Sequence, residues 1–284
     1  MKKIGSIIWK EFIYGGHLQC LGVVGIVYSS TYLLNVTLEW VLFVVPYLLF
    51  YLIYINDRLK GIVIDEKTNK ERTEHLKKCL SFLPLIVLLV FFAISLILIY
   101  VSSISFLIFV FTLLFFGILY PFYFKKLTTK IIAFKNIYVA SFFSITTLFP
   151  VFYYHLSISK ELVLLLTIFT IFVFIKTILM QISLDHKDVI ADKEIGLKTV
   201  PIIIGKERSV YFLKLANIFL AFILMLAVFY LEYLPVEFLI FIIGIPFVFW
   251  GYQLIEKKNY FGYIITSSEF SLWIILIAII DLIQ

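Results

Sequence analysis

Glu161-Leu-Val-Leu-Leu-Leu-Thr-Ile-Phe-Thr-Ile-Phe-Val-Phe-Ile-Lys176-Thr-Ile-Leu-Met-Gln-Ile, running on into Ser183-Leu-Asp185-His-Lys-Asp188-Val-Ile-Ala-Asp192-Lys-Glu, is the stretch that decides the fold of this chain. Its first part, about 161–182, is apolar enough and long enough to cross about 30 Å of hydrocarbon at about 1.5 Å per residue. Its second part sets three acids directly at the end of that crossing. Stretches like the first recur at about 15–34, 38–56, 82–102, 104–120, 136–154, 210–231, 235–252 and 264–282, so nine spans are expected. Period-two alternation is absent and an open sheet edge is not tolerated in lipid, so the spans are read as helices.

Composition leads to the same place. Of 284 residues, 63% are hydrophobic and 15% charged, against about 45–50% and about 25% in a soluble domain, and the mean hydropathy is +1.08. A soluble globular protein is excluded. The expected architecture is a single all-α polytopic domain over 1–284. Residues 1–14, basic and then interrupted by Lys10 and Glu11, read as an interfacial helix rather than a signal peptide. Two cysteines, Cys20 and Cys79, supply no disulfide framework and no thiolate metal site. His75 and His186 lack the partner spacing of a zinc site.

The net charge of +6 tests the span count, because cytoplasmic loops collect the Lys and Arg of a membrane protein. With the N-terminus inside, that side holds Lys2, Lys3 and Lys10; Arg58, Lys60, Lys67, Lys70, Arg72, Lys77 and Lys78; Lys125, Lys126, Lys130 and Lys135; Lys187, Lys193, Lys198, Lys206 and Arg208; and Lys257 and Lys258. The other side keeps Lys160. One span more or fewer would scatter these charges over both faces. The basic balance is thus topological, and no nucleic acid partner is implied. The long hydrophilic segments 57–81, 121–135 and 183–209 all fall on the cytoplasmic side, where function is to be sought.

If the 161–182 helix continues past the membrane surface, about 100° per residue puts Asp188 and Asp192 within roughly 60° of Asp185. Like charges so spaced destabilise a helix unless something positive lies among them. Mg²⁺ suits that place, since it takes one or two carboxylates and completes its octahedron with water and phosphate oxygens. A solvated charged loop is the plainer alternative. Gly196, Thr199, Pro201 and Gly205 read as loop-closing residues. The earlier segment Asn56-Asp57-Arg-Leu-Lys60-Gly61-Ile-Val-Ile-Asp65-Glu66 also sets acids at a span end. Asp57 and Asp65 lie roughly 80° apart on a helix, so both can face one cavity, although an Asn-Asp pair also serves as a cap or turn.

Together these residues resemble the UbiA superfamily of intramembrane prenyltransferases over nearly the whole chain. The resemblance implies nine helices around a central lipid-accessible cavity, with two aspartate-rich motifs that hold Mg²⁺ and a prenyl diphosphate. Asp188 and Asp192 stand at the DxxxD of the second motif, Asp185 precedes them, and Gly196, Thr199 and Pro201 form its GxxTxP tail. The first motif, commonly NDxxDxxxD, departs from the pattern. With Asp65 as its last acid and Arg72 as the downstream arginine, Gly61 stands where the middle Asp is usual, and Asn56-Asp57 is displaced by one. Tyr120 followed by Lys125 and Lys126, and the Lys135-Asn136 pair, also look like the family's.

The resemblance implies metal ligands in Asp57, Asp65, Asp185, Asp188 and Asp192. It implies diphosphate contacts from Arg72, Lys135 and Asn136, and catalytic roles for Tyr120, Lys125 and Lys126. The implied partners are a prenyl diphosphate donor, a lipophilic acceptor and the membrane lipids. With Gly61 in place of a carboxylate, the first segment is expected to hold Mg²⁺ more weakly than the second. An isoprenoid-lipid-binding family member with reduced or altered catalysis remains the alternative. A transporter would want polar groups near mid-membrane, where the spans offer little beyond Lys176, a candidate for substrate binding or for snorkelling.

Overall fold

The computed structural model of the chain describes residues 2–68, 70–231 and 234–283; the side chains of 2–4, 6, 63–65, 67, 68 and 283 lie outside that description. Every regular element among the described residues is helical. Helices α1 (Lys2–Tyr14) and α2 (His17–Leu33) meet at 60° across Gly15-Gly16, where Gly16 takes φ 88°, a left-handed conformation natural to glycine. They are followed by α3 (Trp40–Thr68), α4 (Lys70–Cys79), α5 (Leu83–Val101) and α6 (Ile104–Leu119). A π-helical turn at Tyr120–Phe124 and a 3₁₀ turn at Lys125–Thr129 lead to α7 (Phe134–Ile145) and α8 (Phe149–Tyr154). Then come α9 (Lys160–Glu194), α10 (Val200–Ile204), α11 (Lys206–Tyr230), α12 (Ile240–Ile243), α13 (Ile245–Glu256), α14 (Phe261–Ser267) and α15 (Glu269–Ile283).

Among the described residues seven helical runs are long and apolar enough to cross a membrane, and the bent pairs α1/α2 and α14/α15 bring the number to nine. The expected spans fall on these elements, with two differences. The ninth, 264–282, is broken by 54° at Ser268. Both acidic segments continue their spans as helix instead of leaving them as loops: α3 runs unbroken past Asp57 to Thr68, and α9 past Asp192 to Glu194. Local chemistry sets the ends. Ser159 accepts from the Leu162 N–H at 3.1 Å to start α9, and Ser103 accepts from Phe106 at 3.2 Å to start α6. Gly196, at φ 72°, turns the chain out of α9.

Helix α2 lies between α3 and α15, and α7 packs along α9. Large apolar side chains of α5 and α11, such as Leu88, Phe92, Ile99, Phe219 and Phe229, point outward. Such a surface is tolerable only against lipid. Inside, Phe169, Phe172, Phe241, Phe270 and Trp273 form one aromatic cluster that joins α9, α12 and α15. Between α7 and α8 the helix loosens through Thr146–Leu148, where Pro150 lacks an N–H to give. The Ser30 hydroxyl donates to the Thr147 carbonyl at 2.6 Å, so a backbone acceptor freed at membrane depth is paired from α2.

Gly25 of α2 is the closest approach in this frame. A Cβ there would fall 1.9 Å from the Phe270 carbonyl oxygen of α15. Gly25→Ala is therefore expected to force the two helices apart and to cost about 1–3 kcal/mol as overpacking does, seen as a lower unfolding temperature of the detergent-purified protein.

Candidate active site

The two acidic segments meet at one end of the bundle. On α9, Asp185 is 3% and Asp192 6% exposed, while Asp188, a part-turn away, is half-buried. Lys135, at the start of α7, reaches between the first two: its Nζ lies 2.9 Å from Asp185 Oδ1 and 2.6 Å from Asp192 Oδ2. Asn136 Nδ2 donates to the other oxygen of Asp185 at 2.8 Å. Lys135 is placed there by its backbone. Ala133, left-handed at φ 54°, opens α7, and its N–H donates to the Lys198 carbonyl at 2.8 Å. The Lys198 N–H donates to the Thr128 carbonyl at 3.1 Å, and the Thr128 hydroxyl accepts from the Lys135 N–H at 3.0 Å. This clasp ties the tail of the second motif to the turn that carries Lys125 to Thr129.

On α3, Asp57 pairs with Lys125 at 3.2 Å. Asn56, expected beside it in the motif, instead donates its amide to the Ile118 carbonyl of α6 at 3.0 Å. Gly61 is buried within α3, and the Asp65 side chain lies outside the described residues. Lys125 also lies within electrostatic range of Asp192. Tyr120, 9% exposed, has Asp57, Lys135, Asp185 and Asp192 as its charged neighbours. In the π-helical turn the Lys125 N–H bonds to the Tyr120 carbonyl, so residues five apart stack where an α-helix would align residues four apart. Lys126, next in the chain, is exposed.

Below this charged end lies a cavity of about 150 Å³ between α2, α3, α6, α7 and α9. Asp57, Arg58 and Tyr120 line it at one end, and Phe50, Tyr138, Phe142 and Phe143 farther in. Tyr138 is the middle of a stack, with ring centroids 5.0 Å from Tyr120, 4.9 Å from Phe124 and 5.0 Å from Phe142. Gln19 and Gln181 are the polar exceptions within the walls, and Gln19 Oε1 is buried without a hydrogen-bond partner. Gln19, Tyr54 and Arg58 are shared with a smaller recess that also contains Arg72, Lys187 and Tyr260. The Arg58 guanidinium lies 4.5 Å over the Tyr54 ring. Asp188 lies within electrostatic range of Tyr260, whose hydroxyl is raised above the usual phenol range, chiefly by burial.

The structure thus brings Asp57, Tyr120, Lys125, Lys135, Asn136, Asp185 and Asp192 together and puts Arg72 in the lining of the adjoining recess. The cavity residues Gln19, Tyr138 and Gln181 were not legible as site residues, because single polar or aromatic residues in apolar spans carry no spacing signal. Glu269 was missed for a different reason. It is one acid in the ninth span, and its partner proves to be Lys176: the two are buried as an ion pair, and Lys176 also donates to Asn217 Oδ1 at 2.6 Å. Lys176 therefore does not snorkel. His186, also buried, bonds to Ser209 at 2.7 Å.

Mg²⁺ can be tested against these donors. Among the described residues no group of three or more His, Cys, Asp or Glu converges as a metal cage. Asp57 and Asp188 are half-buried carboxylates, one on each acidic segment. A set of one or two carboxylates completed by water and substrate phosphate oxygens is the arrangement Mg²⁺ takes at phosphate sites, and each acidic segment offers a half-buried carboxylate of that donor type, Asp57 being paired with Lys125 here.

The comparisons with known proteins agree with this geometry. The UbiA prenyltransferase family matches residues 77–279, a stretch that includes the second acidic motif and begins past the first. The fold is similar to a solved structure of digeranylgeranylglyceryl phosphate synthase, at TM-score 0.50 and 18% identity over 97% of this chain and 96% of that one. No curated protein sequence matches the chain. An all-helical multi-pass fold with paired acidic segments over an aromatic cavity, matched by the family over more than two thirds of its length, makes this chain a member of the UbiA prenyltransferase family.

Proposed function

We propose that this prenyltransferase is Mg²⁺-dependent and moves a polyprenyl group from its diphosphate to a lipophilic acceptor within the membrane. The observation that carries the proposal is a cavity whose lining joins the charged Asp57 and Arg58 to the ring faces of Tyr138, Phe142 and Phe143, with Lys125 paired to Asp57 beside it. Breaking the allylic carbon–oxygen bond leaves negative charge on the diphosphate and positive charge on the carbon. Lys125, Arg58 and Arg72 bind and orient the first, as preorganised cations in a partly water-excluded place. The ring faces stacked about Tyr138 shelter the second, each contributing about 0.5–2 kcal/mol of cation–π attraction. Asp57 and Asp188 would hold Mg²⁺, which would supply charge neutralisation to the leaving diphosphate.

The Asp185–Lys135–Asp192 group holds α7 against α9, so that the cavity walls and the acidic segments keep one geometry. The test is direct. Purified protein in proteoliposomes, given labelled geranylgeranyl diphosphate and an acceptor-containing lipid extract, is expected to yield a labelled lipid product and free diphosphate. Chelation should stop the transfer and added Mg²⁺ restore it. Donor binding without transfer under every acceptor fraction would favour the isoprenoid-binding reading, for which the buried Gly61 at the place of an acid speaks.

The charged pole faces the cytoplasm, with 57–81, 121–135 and 183–209 on that side and α1 lying in its interface. This rests on the alternation of Lys and Arg by loop. Single cysteines at the exposed positions Lys126 and Glu194 should resist membrane-impermeant labelling of intact cells, whereas one at exposed His155 should react. Labelling at Lys126 would overturn the orientation.

A further inference from the structure

We propose that Lys135 is a built-in cation of the second acidic motif: its ammonium occupies the place between Asp185 and Asp192, so that this pair of aspartates takes no divalent ion. The inference rests on the Mg²⁺-dependent reading above and changes what the motif does in this chain. Both oxygens of Asp185 already have donors, Lys135 Nζ at 2.9 Å and Asn136 Nδ2 at 2.8 Å, and Asp192 Oδ2 has Lys135 Nζ at 2.6 Å. A divalent ion at those oxygens must sit at about 2.0–2.1 Å from them, and it would meet the ammonium that is already there. Moving the lysine aside would leave a buried charge unpaired, which is strongly unfavourable.

The lysine is also not free to swing out. Its side chain is only 14% exposed, and its backbone is held by the clasp of Thr128, Ala133 and Lys198. The electrostatic demand is met as well. Asp185 and Asp192, two turns apart on one face of α9, repel each other, and Lys135 lies between them as a counter-charge that needs no ion from solution. Asp188, the other acid of the second motif, is half-buried and lies within electrostatic range of Tyr260 and Tyr263.

The experiment counts ions and needs no turnover. Detergent-purified protein is dialysed to equilibrium against saturating Mn²⁺ with inorganic pyrophosphate, and retained Mn²⁺ per chain is measured. Lys135→Met, similar in length but uncharged, should retain one Mn²⁺ more than the wild type, because Asp185 and Asp192 are released. Asp192→Asn should retain the wild-type number. An unchanged count in a folded Lys135→Met protein, or a lower count in Asp192→Asn, would overturn the inference while leaving the Mg²⁺-dependent reading intact. Should Lys135→Met fail to elute as a single species, the Asp192→Asn arm decides alone. A wild type that retains no Mn²⁺ removes the metal from the proposed function, and the gain in Lys135→Met then still tests the inference separately.

Discussion

Lys176→Met is expected to destabilise the protein by about 3–5 kcal/mol, the usual cost of stranding one member of a buried ion pair. Lys176 and Glu269 are 2% and 3% exposed, so solvent is poorly placed to take over the abandoned carboxylate. Four helices share the loss. Lys176 belongs to α9 and Glu269 opens α15 at the 54° break, while Asn217 of α11 links Lys176 to the Tyr252 hydroxyl of α13 at 2.8 Å. The double variant Lys176→Met with Glu269→Leu should regain most of the stability, because a well-packed apolar pair is often neutral or better in such a place. Thermal unfolding in detergent would show the difference. Equal losses in the single and double variants would mean that shape, not charge, holds this site together.

Asp188→Asn should slow prenyl transfer on the order of a hundredfold, or about 2.7 kcal/mol of transition-state stabilisation. The substitution keeps the size of the side chain and removes the charge that the proposed ion uses. Lys126→Ala is the matched comparison. Its side chain is exposed on the 3₁₀ turn, so its rate should stay within about threefold of the wild type, as a solvated charge contributes little. Initial rates at saturating donor would separate the two, and an unimpaired Asp188→Asn protein would dismiss Asp188 as a ligand.

What could be read from the chain, and what could not, follows from the range of the interactions. Apolar length and helical period are local, so the spans were legible, and so was the common face of Asp185 and Asp192, while half-buried Asp188 stands apart from their pairing with Lys135. The continuation of α3 through Asp57 was half-legible, since the acids were spaced for a helix but Gly61 and Asn56-Asp57 read equally as a turn. The place of Lys135 was not legible. In the sequence it is one of the basic residues of a cytoplasmic loop, and only the bonds among Thr128, Ala133 and Lys198 turn it toward α9. Glu269 was hidden in the same way, because an acid in an apolar span has no meaning until its cation, far away in the chain, is known. An intramembrane Lys should prompt a search of every other span for an acid.

The cavity with one charged end and one aromatic end also bears on how the products part. On the proposed reading, free diphosphate belongs in water and an alkylated lipid in the bilayer, and the site would stand where the two media meet. Each product therefore leaves into the phase that already favours it. Back-reaction needs a hydrophilic and a lipophilic molecule to return from separate phases at the same moment. In such an arrangement the direction of the reaction is kept by partition between phases as much as by the chemistry of the bond.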